Sequence, residues 1–194
     1  MEELPCNTTI KDRQLYLKKI TRILGWEERS AARLKKTDPA AIAVDFLAGG
    51  EQHLKLYTQY ETEEGTRRFL HKIHQTTARQ SIDRFLRTSG DEPFGFYAVS
   101  QRWHDHALRP VGLKLYKVYN ARQIDDFQRS HREIAKTLEA FRLAKTPQAQ
   151  LISQTRALCA RRSADFYPVL LAFDPGVSPQ IDVYYALQNL ANRA

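Results

Sequence analysis

Leu54-Lys55-Leu56-Tyr57, Leu113-Lys114-Leu115-Tyr116 and Ile181-Asp182-Val183-Tyr184 are three copies of one short pattern, in which apolar residues alternate with a polar residue and a tyrosine. Side chains along a β-strand leave opposite faces in turn. Lys55 with Tyr57, Lys114 with Tyr116 and Asp182 with Tyr184 therefore share one face of their strands. Leu54, Leu56, Leu113, Leu115, Ile181 and Val183 share the other. The pattern predicts a sheet with one apolar face and one polar, phenolic face, which is how a sheet reads when helices cover one side only.

Each copy is preceded by a second apolar run and a turn, so the repeated unit is a hairpin followed by a helix. Ala41-Ile-Ala-Val-Asp-Phe-Leu47 and 53–60 flank the turn Ala48-Gly49-Gly50. The runs 93–100 and 111–119 flank a longer polar connection through Trp103-His104-Asp105-His106. Pro168-Val-Leu-Leu-Ala-Phe173 and 180–187 flank the turn from Asp174 to Pro179. Ahead of these lie two helical stretches: 10–23, capped by Asn7-Thr8-Thr9 and stopped by Gly25, and 26–34. Further helices are expected over 61–87, 121–143 and 148–164. The reading is one α+β domain over 1–194. It has N-terminal helices in 1–37 and repeat units in 38–90, 91–165 and 166–194, the last stopping after its hairpin. The sheet is antiparallel, curved or a partial barrel, with helices on its outer face. The end strands of such a sheet need cover or pairing, which makes a homodimer the expected assembly.

Composition narrows the partners. The chain of 194 residues carries a formal charge of +8 and a pI near 9.6. Excess positive charge concentrates anionic partners, whether phosphorylated small molecules or nucleic acid. Cys6 and Cys159 form no ligand pattern, and neither a signal-peptide pattern nor a membrane-length apolar run is present. The expectation is a cytoplasmic protein without a membrane partner. No phosphate-binding loop, dinucleotide fingerprint or nucleophile elbow occurs in the sequence.

A lysine and a tyrosine two apart on a strand suit a diphosphate ligand. The ammonium neutralises phosphate oxygens, while the ring lines an apolar or cation-stabilising wall. Asp45 is the acidic candidate, because alternation places it opposite Val44 and Phe46, which are expected to pack beneath the helices. Hairpins ending in Lys-x-Tyr, helices between them, and Leu170-Leu-Ala-Phe-Asp174 followed by Ile181-Asp-Val-Tyr-Tyr185 resemble the aromatic prenyltransferases of the ABBA barrel type, the dimethylallyltryptophan synthase group among them. The resemblance spans residues 40 to 187 as a pattern. It implies that Lys55 and Lys114 hold an allylic diphosphate, that Tyr57, Tyr116 and Tyr184 shield an allyl cation, and that Asp45 orients or deprotonates an aromatic acceptor. The family has more repeats and a longer chain, and it places a basic residue where Asp182 stands, so the protein reads as a short three-repeat relative.

Two other readings compete. A basic sheet face bearing tyrosines is also a platform for single-stranded nucleic acid, and the same fold without a ligand would be an interaction scaffold. His104 and His106, two apart and near His53 in the hairpins, could meet at one ion. No further ligand cluster accompanies them in the sequence, so no metal and no cofactor is assigned, and the segment is read as a polar connection.

Overall fold

The computed structural model describes residues 2–3, 10–34, 38–48, 50–72, 78–89, 95–107, 110–119, 124–143, 150, 153–154, 157, 164–175 and 178–189. The fold is α+β. Its strands are β1 (Glu2–Glu3), β2 (Ala41–Phe46), β3 (Gln52–Tyr60), β4 (Gly95–Trp103), β5 (Gly112–Tyr119), β6 (Ala164–Asp174) and β7 (Gln180–Asn189). Its helices are α1 (Ile10–Ile23), α2 (Glu28–Leu34), α3 (Glu63–Lys72), α4 (Arg79–Ser89) and α5 (Ile124–Ala140). Neighbouring strands follow in sequence order from β1 to β7, and the β1/β2, β2/β3 and β6/β7 ladders are antiparallel. Two compact units divide the chain: residues 1–59 with 98–115, and residues 60–97 with 116–194.

In the first unit the apolar positions of the Lys-x-Tyr pattern form the core. Leu54 and Leu56 are fully buried and pack with Leu17 of α1, Leu34 of α2, Ile42 and Trp103. The turn after α1 fixes the direction of the chain there. Trp26 N–H donates to the Thr21 carbonyl and Gly25 N–H to that of Arg22, while Gly25 takes φ of +70°, the left-handed C-terminal cap that only glycine adopts without cost. Ile20, Leu24 and Trp26 are thereby laid against the buried cluster. The β2–β3 turn closes with Leu47 N–H donating to Glu51 O and Gly50 N–H to Leu47 O, with Gly50 at φ +79°. Phe46 departs from expectation: it is 73% exposed, because it ends β2 at this turn, beyond the helices that cover Ile42 and Val44. β1 pairs Glu2 with Ile42 and Glu3 with Ala41, so a short acidic strand covers part of the edge of β2.

In the second unit Phe173 stacks on Phe85 of α4 at 4.8 Å and meets Phe141, just beyond α5, at 5.1 Å. The register pairs Phe173 with Ile181 and Leu171 with Val183, so these four share the helix-covered face, as the alternation predicts. The stretch expected as one helix over 61–87 holds two helices, α3 and α4, with 73–77 outside the described residues. Arg67 of α3 binds both Glu63, one turn back, and Asp83 of α4, joining the pair. α5 ends with Leu143 N–H donating to Leu138 O and Arg142 N–H to Glu139 O, with Arg142 at φ +60° in the position that glycine holds after α1. The helix expected over 148–164 lies for the most part outside the described residues, and 164 already begins β6.

Candidate functional site

On β3 and β5 burial alternates as the repeat requires. Leu54, Leu56, Leu113 and Leu115 are buried, while Lys55, Tyr57, Lys114 and Tyr116 are half-buried. Lys55, Tyr57, Lys114 and Asp45 all belong to the first unit. Asp45 lies opposite His53 in the β2/β3 register, on the Lys55 face. The Lys55 ammonium reaches both carboxylate oxygens, 2.7 Å from Oδ2 and 2.9 Å from Oδ1. The base candidate and one of the two phosphate-binding candidates therefore hold each other. Arg102 of β4 belongs to the same polar face as Lys114, because a Cβ on Gly112 would lie 3.5 Å from the Arg102 Cβ. Ser100, two residues back along β4, shares that face and is buried. Tyr116 and Tyr184 belong to the second unit. Tyr184 pairs with Leu170 on the face away from the helices and is 47% exposed.

Beside Asp45 and Lys55, a second constellation stands at the turn end of the β2–β3 hairpin. Glu51, His53 and His104 bring one donor atom each to within 4.8 Å of one another. Glu51 Oε1 is 3.0 Å from His104 Nδ1 and 3.4 Å from His53 Nε2, and the two imidazoles meet edge to face at 4.0 Å. His53 is 7% exposed, and neither of its ring nitrogens has a hydrogen-bond partner among the described residues. A buried polar group left so costs about 1–3 kcal/mol, which marks the position as one the fold does not need for stability. An open cleft of about 380 Å³ adjoins the cluster, lined by Leu24, Trp26, Gly50, Glu51, Gln52, His104 and Asp105.

The connection after β4 holds His104 in place. Asp105 Oδ1 accepts from His106 N–H at 3.0 Å and from Glu27 N–H at 3.3 Å, tying this loop to the start of α2. His106 turns away at φ +62°, and its ring faces Glu27 and Asp105, each at 3.4 Å. His104 and His106, the pair that the sequence draws attention to, therefore do not converge. Glu51 and His53, which flank Gln52 on the other hairpin, are the residues that join His104. Alternation signals that 51, 53 and 55 share a face; the pairing with His104 comes from tertiary structure.

A third polar group lies inside the second unit. Lys117 is 1% exposed on the face otherwise formed by Leu113, Leu115 and Tyr119, with its ammonium 4.5 Å from the centre of the buried Tyr97 ring. Tyr97 Oη and Ser89 Oγ are 3.1 Å apart. α5 contributes a buried line of Ser130, Glu133, Ile134 and Thr137, and its His131 stacks on Tyr185 at 5.8 Å. Burial first, and then the Glu133 carboxylate, push the Tyr119 phenol well above its ordinary value. Sequence reading missed this seam, although Lys117 breaks the apolar alternation of β5 at a position where period two alone would flag it.

No family model matches the chain, and neither a curated protein nor a solved structure matches it.

Proposed function

We propose that the polar face of the first unit binds an allylic diphosphate through Lys55 and Lys114, and that the protein transfers the prenyl group to an aromatic acceptor. The observation that carries the reading is the pairing of Lys55 with Asp45 on a face that also bears Tyr57, Lys114 and Arg102. A diphosphate carries more negative charge than a carboxylate and competes with Asp45 for the Lys55 ammonium. Its arrival frees the Asp45 oxygens where the acceptor would lie.

The allylic C–O bond then breaks, and its electron pair leaves with the diphosphate. A ring carbon of the acceptor bonds to the allylic carbon, and the ring proton passes to Asp45. The two lysines stabilise the charge that builds on the leaving group, and the Tyr57 ring faces the positive allyl fragment. This mechanism uses residues of the first unit alone.

The test is a pair of variants. Lys114→Ala should lose diphosphate affinity with its melting curve preserved. Asp45→Asn should keep binding and lose prenyl transfer. Unchanged affinity in a folded Lys114→Ala protein removes the proposal. Salt-sensitive binding of a single-stranded oligonucleotide, without diphosphate binding, selects the nucleic-acid platform instead. Silence towards both ligands selects a scaffold, and sedimentation would then establish whether the protein forms the expected homodimer.

A further inference from the structure

We infer that Glu51, His53 and His104 form a site for a single divalent transition-metal ion of the zinc class, with one coordination position open to the adjoining cleft. Two imidazoles and one carboxylate are a donor set that such ions favour, and three protein ligands with a fourth position left to water or substrate is the arrangement of reactive rather than structural zinc. Two of the three donor separations are close to what an ion needs, and all three lie within 4.8 Å. Ligand bonds of about 2.0–2.1 Å in a tetrahedron put donor atoms about 3.3 Å apart. Glu51 Oε1 stands 3.0 Å from His104 Nδ1 and 3.4 Å from His53 Nε2.

His53 supplies the second, independent observation. More than nine-tenths buried, without a hydrogen-bond partner for either ring nitrogen among the described residues, it turns Nε2 towards the same carboxylate oxygen that His104 approaches. An ion at the centre would satisfy that nitrogen. The backbone prepares the other two ligands: the Leu47–Glu51 and Gly50–Leu47 hydrogen bonds fix the turn before Glu51, and Asp105 fixes the loop after His104. The cleft walls of Leu24, Trp26 and Gln52 give the open position an apolar side and a polar side, which suits a ligand that presents one anionic oxygen to the ion and a small apolar body to the indole. The inference is independent of the diphosphate reading, since it uses neither lysine.

The experiment is Co²⁺ and Zn²⁺ titration of the full chain carrying no affinity tag, with visible absorption for Co²⁺ and calorimetry for Zn²⁺. One equivalent should bind, and Co²⁺ should give the intense visible bands of a four- or five-coordinate site. Adding azide should shift those bands, and an unchanged spectrum would overturn the open position. His104→Ala and Glu51→Gln, both at solvent-accessible side chains, should each weaken binding at least about tenfold with circular dichroism unchanged. His106→Ala should leave it unchanged. Absence of stoichiometric binding, equal binding by His104→Ala, or an equal loss in His106→Ala would each overturn the assignment.

Discussion

The polar face of the first unit and the interior of the second hold their ionisable side chains in opposite ways. In the first, Asp45, Lys55 and Lys114 stand half-buried on the polar face of the strands, Glu51 and His104 border an open cleft, and His53 is buried beside them. In the second, Lys117, Tyr119 and Tyr97 of the strands and Glu133 of α5 lie in the interior. Groups on an open face cost little to keep and meet a ligand directly; groups sealed in the interior cost more and must be compensated by their neighbours. The difference teaches that a charged residue in a strand is informative once its face is known. Lys114 and Lys117 are three residues apart on one strand and belong to the two categories.

Substitution of those two lysines separates the categories most sharply. Lys117→Ala removes a buried stem and its contact with the Tyr97 ring, and should lower unfolding stability by about 2–4 kcal/mol in urea titration. Lys114→Ala should change stability by less than about 1 kcal/mol, so equal losses from the two would erase the distinction.

The pH dependence of the second unit sharpens the same contrast. Because the folded state holds the Tyr119 phenol above its ordinary value near 10, the stability that this group contributes is fully present below that pH. It is lost as pH rises through the folded-state value, since the unfolded chain ionises first. Tyr119→Phe should flatten the alkaline decline in melting temperature; a decline identical to that of the parent would show that the seam is not enclosed.

A smaller effect is expected at the end of α5. Arg142 occupies left-handed backbone that glycine adopts freely, so Arg142→Gly should be neutral or stabilising by up to about 1 kcal/mol. The reverse test at the end of α1, Gly25→Ala, should destabilise by a similar amount. Nothing lies within 4 Å of the added Cβ there, which leaves backbone strain as the cause.

Much of the architecture was legible because its signals are local. The alternation through Leu54, Leu56, Leu113 and Leu115 fixed which face would be buried, Gly25 marked the end of α1, and the three hairpins follow from apolar runs and turns. The stretch 61–87 reads as one helix because helix formers dominate both α3 and α4; that Arg67 of α3 meets Asp83 of α4, sixteen residues on, is a tertiary contact that no local period announces. Phe46 was misplaced because alternation gives a face and not how far the covering helices extend. The site was legible in part for the same reason. Asp45, Lys55 and Tyr57 come from one hairpin whose register can be inferred, and they share a face. The approach of His104 to Glu51 and His53 depends on how β4 ends beside the β2–β3 turn, which no sequence period encodes. The Lys55 to Asp45 ion pair was likewise outside reach, since alternation places both on one face without saying that they touch.

The central claim is that the accessible polar face of the first unit takes a phosphorylated ligand. Calorimetric titration of the purified chain with dimethylallyl and geranyl diphosphate, against inorganic pyrophosphate and a short single-stranded oligonucleotide, tests it most directly. The account predicts saturable binding of the allylic diphosphates, tighter than pyrophosphate because the Tyr57 ring adds contact with the prenyl chain, and lost on Lys114→Ala. Heat release from the oligonucleotide alone, or from none of the four ligands, would contradict it.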